Sequence, residues 1–188
     1  RQMCIRDSSP QFVRFPHTLE EVAALESIEE CWFARHLLAC FYYNKRSYNK
    51  AITLWQRCVE MSPEFADGWR GLAIHAWNKQ HDYELAARYL DNAYQLAPQD
   101  ARLLFERDLL DKLSGTTPEK RLARLENNLE IALKRDDMTA ELLNLWHLTG
   151  QADKAADILA TRKFHPWEGG EGPVSYTHLR AHETRGNL

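Results

Sequence analysis

Apolar residues recur along this chain at the spacing of one face of an α-helix. Interruptions of this pattern divide the chain into a series of short predicted helices. The first begins at Thr18, which forms a capping box with Glu21 and predicts a helix over about 18 to 28. Two further helices are predicted over about 30 to 43 and 48 to 61. The first part of the chain is therefore expected to be helical.

The same pattern continues in the second half of the chain, although less regularly. A helix predicted over 101 to 113 has leucines on one side and ends before Gly115. Pro118 then begins a helix over about 118 to 134, at a position where proline is favoured. A last pair of helices, separated by Gly150, is indicated by five apolar residues. They are Leu142, Leu143, Trp146, Ala155 and Leu159.

Prolines divide the helices into units of similar length. Pro63 and Pro98 lie 35 residues apart, and Pro166 follows after a further 68 residues. The residues before Pro63 and Pro98 share a pattern of small and large apolar side chains. They are Ala51, Trp55 and Cys58 in the first unit, and Trp69, Leu72, Ala73, Ala86, Leu90 and Ala93 in the second. This pattern resembles the tetratricopeptide repeat (TPR), a two-helix unit of about 34 residues.

The resemblance implies an all-α fold, a right-handed superhelical solenoid of antiparallel helix pairs, because one hairpin cannot bury its own apolar face. An initial segment and helix, 9–29, is expected before about four hairpins. Their predicted bounds are 30–63, 64–98, 99–135 and 136–167, in a repeat region that runs to 172. The third is degenerate, since Glu126 and Glu130 stand where such repeats prefer small residues. Small residues are expected where helices approach closely, at Ala39, Ala51, Ala73, Ala86 and Ala93.

Both ends of the chain differ from the rest. Residues 1–8 and 173–188 lack helical periodicity and resemble translated sequencing adapter, so we exclude them from inferences about fold and function. The exclusion removes Cys4 and the pair of His178 and His182, which otherwise has the spacing of metal ligands. The chain is then expected to be a fragment of a longer protein.

Composition limits the classes of function. The formal net charge of −3 at pH 7 argues against a nucleic-acid scaffold, because phosphate binding requires a basic surface. No run of about 18 apolar residues predicts a membrane span. Cys31, Cys40 and Cys58 are expected to be free thiols in a reducing compartment, which favours a cytoplasmic location.

Candidate catalytic and metal-binding residues are few. His36 and Cys40 share a helical face, but no second pair of ligands lies nearby in the sequence. His75 and His81 lie six residues apart across a turn, and packing or solvent contacts explain them better than metal binding. No nucleophile elbow, phosphate loop or zinc-binding motif is found. We therefore expect no catalytic residue, no cofactor and no metal in this fragment.

The TPR resemblance implies that certain positions on the first helix of each pair face a concave surface. Those positions hold His36, Tyr43, Asn44, Arg70, Trp77, Asn78, Arg102 and Phe105, together with Cys40, Asp67, Ile74 and Leu109. Arg70 and Arg102 could bind a carboxylate, and Tyr43 and Trp77 could supply apolar contacts to a peptide. The alternative for Trp77 and Phe105 is contact with a neighbouring helix. The chaperone-tail clamp is not predicted, because its asparagine and paired lysines are lacking.

The most unusual stretch, 164–172, is rich in glycine and closes the repeat region. Its possible site residues are His165, Trp167, Glu168 and Glu171. Two carboxylates beside a histidine could serve a sugar-processing or metal site. Both lie on one short segment, however, whereas acid–base catalysis needs groups held on opposite sides of a bond. The structural alternative is favoured, in which Trp167 packs on the last hairpin.

Three strings extend the resemblance to a narrower family. They are 100–106, 135–137 and 165–172, and they are similar to the repeat region of large bacterial proteins in which an uncharacterised β-rich, sugar-binding-like domain precedes the repeats. The leading hypothesis is a non-catalytic scaffold that binds a protein, a peptide or the missing domain of the same chain on its concave face. The alternative is the accessory region of a carbohydrate-binding or carbohydrate-active enzyme, with carbohydrate bound only through the full-length protein.

Overall fold

The computed structural model describes residues 15–164, and every regular element in this part of the chain is helical. The α-helices are α1 (Leu19–Glu26), α2 (Trp32–Asn44), α3 (Tyr48–Met61), α4 (Ala66–His75), α5 (Tyr83–Leu96), α6 (Ala101–Leu113), α7 (Pro118–Glu126), α8 (Leu129–Ala132), α9 (Asp136–Leu148) and α10 (Ala152–Thr161). A π-helical segment, Ala76–Gln80, continues α4. The all-α prediction is confirmed. The adapter-like ends lie outside the described residues.

The chain divides into two compact units between Ala97 and Pro98. Unit 1 contains α1 to α5 and the π-helical segment, and unit 2 contains α6 to α10. The predicted capping box begins unit 1: the Thr18 hydroxyl accepts from the Glu21 amide at 3.3 Å, and the Glu21 carboxylate accepts from the Thr18 amide at 3.2 Å. These two bonds satisfy amides at the start of α1 that have no partner within the helix.

Small residues let the helices of unit 1 approach closely. In this unit α2 packs against α3, and α4 packs against both α3 and α5. The five alanines predicted at close approaches, Ala39, Ala51, Ala73, Ala86 and Ala93, are each at most 1% exposed. Gly71 makes the tightest contact, since a Cβ atom at this position would lie 2.3 Å from the Trp55 indole. The α3–α4 contact therefore depends on a glycine opposite a tryptophan.

One extra residue in the second hairpin coincides with the π-helical segment. Ala39 and Ala51 are 12 residues apart in the first hairpin, whereas Ala73 and Ala86 are 13 apart in the second. The segment Ala76–Gln80 lies between Ala73 and Ala86. Because a π-turn contains one more residue than an α-turn, it accommodates an insertion without breaking the helix. This accounts for the 35-residue spacing of the prolines.

Unit 2 departs from the sequence prediction at its second helix. The single helix predicted over 118 to 134 is wrong, since α7 ends at Glu126 and α8 begins at Leu129. Two asparagines lie at the break, and the Asn128 side chain donates to the Arg124 carbonyl at 2.9 Å. Asparagine side chains compete in this way for backbone groups and favour the ends of helices. In this unit α9 packs against both α7 and α10.

The interior of unit 2 contains paired charges. Arg121 on α7 donates two hydrogen bonds to Asp108 on α6, at 3.1 and 2.5 Å, and a third to Glu141 on α9, at 2.6 Å. Asp108 is 1% exposed and Arg121 is 5% exposed. Glu141 also accepts from Lys112, at 3.0 Å. This group, which we call the buried ion network, joins three helices of unit 2.

Candidate binding surfaces

His36 is the first residue of the predicted concave set, and in the structure it lies within unit 1. Its ring stacks near Phe33, with centroids 6.4 Å apart, and meets Phe65 edge-on at 5.0 Å. Nε2 of His36 lies 3.6 Å from the Cys40 thiol. Only 8% of His36 is exposed, so this residue presents little surface to a partner.

Tyr43 is half-buried at the end of α2, in a cluster of aromatic rings. Its ring centroid lies 5.1 Å from Tyr48, 5.3 Å from Trp55 and 6.3 Å from His75. Nζ of Lys79, on the π-helical segment, lies 4.4 Å from the centroid of Tyr48. The cluster therefore collects side chains from α2, α3, α4 and the π-helical segment.

Burial and one nearby cation determine the protonation of this cluster. Burial raises the pKa of Tyr43, while the Asn78 side chain and then the charge on Lys79 oppose that shift. Burial lowers the pKa of His75, and Lys79 lowers it further. His75 therefore favours the neutral imidazole near pH 7. Sequence reasoning missed Tyr48, His75 and Lys79 as a group, because none occupies a ligand-facing position of a regular repeat.

The remaining predicted residues of unit 1 are more accessible. Arg70 and Trp77 are half-buried, and Asn44 and Asn78 are exposed. Trp77 and Asn78 both belong to the π-helical segment. The structure thus leaves an arginine and a tryptophan partly open on the helix formed by α4 and its π-helical continuation.

Cys40 and Cys58 in unit 1 are free thiols and are poorly suited to nucleophilic chemistry. Burial raises the pKa of Cys40 to about 11, with Asp67 raising it further and Arg70 opposing. Burial also raises the pKa of Cys58 to about 12. The thiolate is the reactive form of cysteine, and at pH 7 these two side chains are thiols.

In unit 2 the predicted residues Arg102 and Phe105 lie in a cluster of paired charges. Arg102 pairs with Asp100 at 3.0 Å, and the Arg135 guanidinium lies 5.7 Å from the Phe105 ring centroid. Arg135 also donates two hydrogen bonds to Asp137, at 3.0 and 2.5 Å. The result is an aromatic ring beside an arginine that the sequence did not identify, because Arg135 lies 30 residues further along the chain.

Neither a metal centre nor a membrane span is indicated in the described part of the chain. Between residues 15 and 164, no three His, Cys, Asp or Glu side chains come together as metal ligands. No helix in the same range has the length and apolar character to cross a bilayer. The possible loop site at His165, Trp167, Glu168 and Glu171 lies outside the described residues.

Solved structures with similar folds are TPR proteins. A crystal structure of MamA is similar with a TM-score of 0.59 at 14% identity, covering 88% of this chain and 86% of that one. TTC0263, a thermophilic TPR protein of Thermus thermophilus, has a TM-score of 0.56 at 21% identity, covering 85% and 86%. This chain has a TPR-like fold. A MamA RS-1 double mutant agrees, with a TM-score of 0.58 at 16% identity over 87% and 85%. No family model matches the sequence.

Proposed function

We propose that this chain is a non-catalytic protein-interaction module, which binds an extended peptide or a partner domain through the first helices of its helix pairs. The TPR-like fold supports this proposal, since stacked helix pairs present extended binding surfaces. The observation that carries it is the partial exposure of Arg70 and Trp77 on one continuous helix. Arginine and tryptophan are the residue types that contribute most often to binding energy at protein interfaces.

Unit 2 offers a second set of the same kind. The Phe105 ring lies beside the guanidinium of Arg135, and the side chain of Arg102 remains 38% exposed. Each arginine already pairs with an aspartate two residues away. An acidic partner that contacts these arginines would therefore replace an aspartate of this chain as their counter-ion. Such an exchange adds little net affinity, but it favours partners whose charges match the site.

The proposal is tested by selecting peptides from a random display library on the full chain. Binding of the selected peptides is then measured on the double variant Arg70→Ala with Trp77→Ala. We expect the variant to retain its helical circular dichroism and to lose peptide binding by a factor of about 30 or more, since each interface hot spot contributes about 2 kcal/mol or more.

A matched control removes an arginine and an aromatic residue elsewhere in unit 1. Arg57 pairs with Glu60 on the exposed side of α3, and Tyr83 is 41% exposed at the start of α5. The double variant Arg57→Ala with Tyr83→Ala should bind the selected peptides like the unchanged chain. Equal binding by both double variants would exclude the surface around Arg70 and Trp77 as the peptide site.

A further inference from the structure

Nδ1 of His75 is buried in the Tyr43 cluster and has no hydrogen-bond partner among the described residues. The Tyr43 hydroxyl is buried as well, and its oxygen interacts with the Asn78 side chain, which leaves its proton free to donate. His75 is only 8% exposed, and its ring lies 6.3 Å from Tyr43 and 6.4 Å from Tyr48. Buried polar groups are nearly always hydrogen-bonded, so such atoms call for an explanation. Both can donate a hydrogen bond, Tyr43 through its hydroxyl and His75 through a protonated Nδ1.

A cation, Lys79, completes the cluster. Lys79 contacts the Tyr48 ring, and it has no carboxylate partner within the described part of the chain. The Tyr48 ring that it contacts lies 5.1 Å from the Tyr43 ring and 6.4 Å from the His75 ring, so Lys79 lies near both. No carboxylate among residues 15–164 contributes to the pKa of either of these two side chains. The cluster thus contains hydrogen-bond donors and a positive charge, but no acceptor of matching charge.

We propose that Tyr43, His75 and Lys79 bind a carboxylate, with the exposed amide of Asn78 at the edge of the site. Two neutral donors and one ammonium group match the two oxygens and the single negative charge of a carboxylate, and hydrogen bonds to charged groups are the stronger kind. That a bound peptide supplies this carboxylate rests on the function proposed above. The site itself does not depend on that function.

The site extends beyond the residues that repeat register selects. His75 is in α4, Lys79 is in the π-helical segment, and Tyr43 is at the end of α2. In the second hairpin the π-turn changes the direction of side chains that follow Ala76, because it adds a residue to the turn. The inserted residue therefore helps to bring Lys79 over Tyr48 and close to His75.

Nuclear magnetic resonance of the histidine rings tests the proposal on the full chain. The signal of His75 is assigned by its loss in the variant His75→Phe, and its pKa is measured with two probes. N-acetylalanine carries a terminal carboxylate, whereas N-acetylaspartic acid α-amide carries only a side-chain carboxylate. We expect the better-fitting probe to raise the pKa of His75 by about 1 or more in a saturable way, since a nearby anion favours the protonated ring. The stronger response identifies the source of the carboxylate.

Three variants separate this site from a general effect of charge. Lys79→Gln should abolish the saturable response, and Tyr43→Phe should weaken the apparent affinity about tenfold or more through loss of one hydrogen bond to a charged group. Lys45→Gln is the matched control, because Lys45 is exposed near the same end of α2 and lies over the Phe41 ring. That variant should respond like the unchanged chain.

Either of two results would overturn this site. An equal shift of the His75 signal with sodium chloride at the same ionic strength, or an unchanged response in Lys79→Gln, would mean that no carboxylate binds there. The two proposals fail separately. A response to the small probes without any selected peptide would retain the carboxylate site and exclude peptide binding, whereas peptide binding without a probe response would do the reverse.

Discussion

Unit 1 and unit 2 are both built from paired helices, but they bury polar groups differently. In unit 1 the buried atom Nδ1 of His75 has no hydrogen-bond partner among the described residues. In unit 2 the buried charges of Asp108 and Arg121 bond to one another. An unpaired buried donor costs stability, whereas a paired one offsets its own desolvation.

This difference suggests that the polar groups of unit 1 serve binding, whereas those of unit 2 serve stability. Unit 1 is held together by small residues against large rings, and it keeps hydrogen-bond donors that a ligand can use. Unit 2 uses its polar groups within its own interior, where they fix α6, α7 and α9 against one another. Variants that break one arrangement should therefore leave the other unit unchanged, and hydrogen exchange can assign each effect to its unit.

The largest effect is expected in unit 2, from Arg121→Met. Removing one partner of a buried ion pair leaves an uncompensated charge and typically costs about 3 to 5 kcal/mol. Here two carboxylates, Asp108 and Glu141, would lose their shared partner. Because a whole domain is stable by only about 5 to 15 kcal/mol, exchange protection should collapse across unit 2 and persist in unit 1. Urea denaturation followed by hydrogen exchange measures both.

Two controls sharpen this prediction. The triple variant Asp108→Leu, Arg121→Met, Glu141→Leu removes all three charges, and it should restore most of the lost stability, since apolar replacement of a whole buried network is often neutral. Lys154→Met breaks the exposed pair with Glu126 and the contact with the Trp146 ring, and it should cost at most about 1 kcal/mol. A triple variant no more stable than Arg121→Met would show that shape, rather than charge, holds these helices together.

The next largest effect is expected in unit 1, from Gly71→Ala. The added Cβ atom would lie 2.3 to 2.6 Å from three atoms of the Trp55 indole, so the ring or the helix must move. Overpacking of this kind costs about 1 to 3 kcal/mol, which exceeds the roughly 0.5 to 1 kcal/mol that alanine typically gains over glycine within a helix. Thermal and urea unfolding measure the sum of these effects.

The double variant Gly71→Ala with Trp55→Leu serves as the control for this contact. A smaller side chain at Trp55 makes room for the new methyl group, so the two changes together should cost less than the sum of the two single changes. Simple additivity, or a gain in stability from Gly71→Ala alone, would contradict a steric role for Gly71.

Much of the fold could be predicted because the repeat pattern and the helix signals agree. The bounds of α3 and α6 match the predicted 48 to 61 and 101 to 113. The break between α7 and α8 was not predictable from periodicity, because leucines continue on both sides of Asn127 and Asn128. The buried ion network was not predictable either, since charged residues on helices normally face water.

The candidate binding surfaces were only partly predictable for a geometric reason. Register alone selects Tyr43, Arg70 and Trp77, because a regular repeat fixes which positions share a face. It does not select Lys79, whose contact with the Tyr48 ring depends on how α3 packs beside the π-helical segment. Nor can it select Arg135, whose neighbour Phe105 is on another helix of unit 2. Such contacts depend on tertiary structure and not on local sequence.

The smallest expected effect is a dependence of unit 1 on pH. Burial and then Lys79 lower the pKa of His75 below its ordinary value of 6.5. As the solution is acidified, the unfolded chain then binds more protons than the folded chain. The free energy of unfolding therefore decreases. The contribution is fully present above the unfolded pKa of 6.5 and is lost as the pH falls through the lower, folded pKa.

Urea unfolding at several pH values from neutral to mildly acidic measures this contribution, with hydrogen exchange to assign it to unit 1. His75→Phe keeps an aromatic ring without a titrating group, so its stability should change less over the same range. The pKa values of the two carboxylates of the buried ion network in unit 2 shift in opposite directions, because burial raises the pKa of Asp108. Burial also works against the charged form of Glu141, but the hydrogen bonds from Arg121 and Lys112 outweigh it and hold the pKa of Glu141 below 4.5. The same acid response in His75→Phe as in the unchanged chain would show that another group in unit 1 carries it.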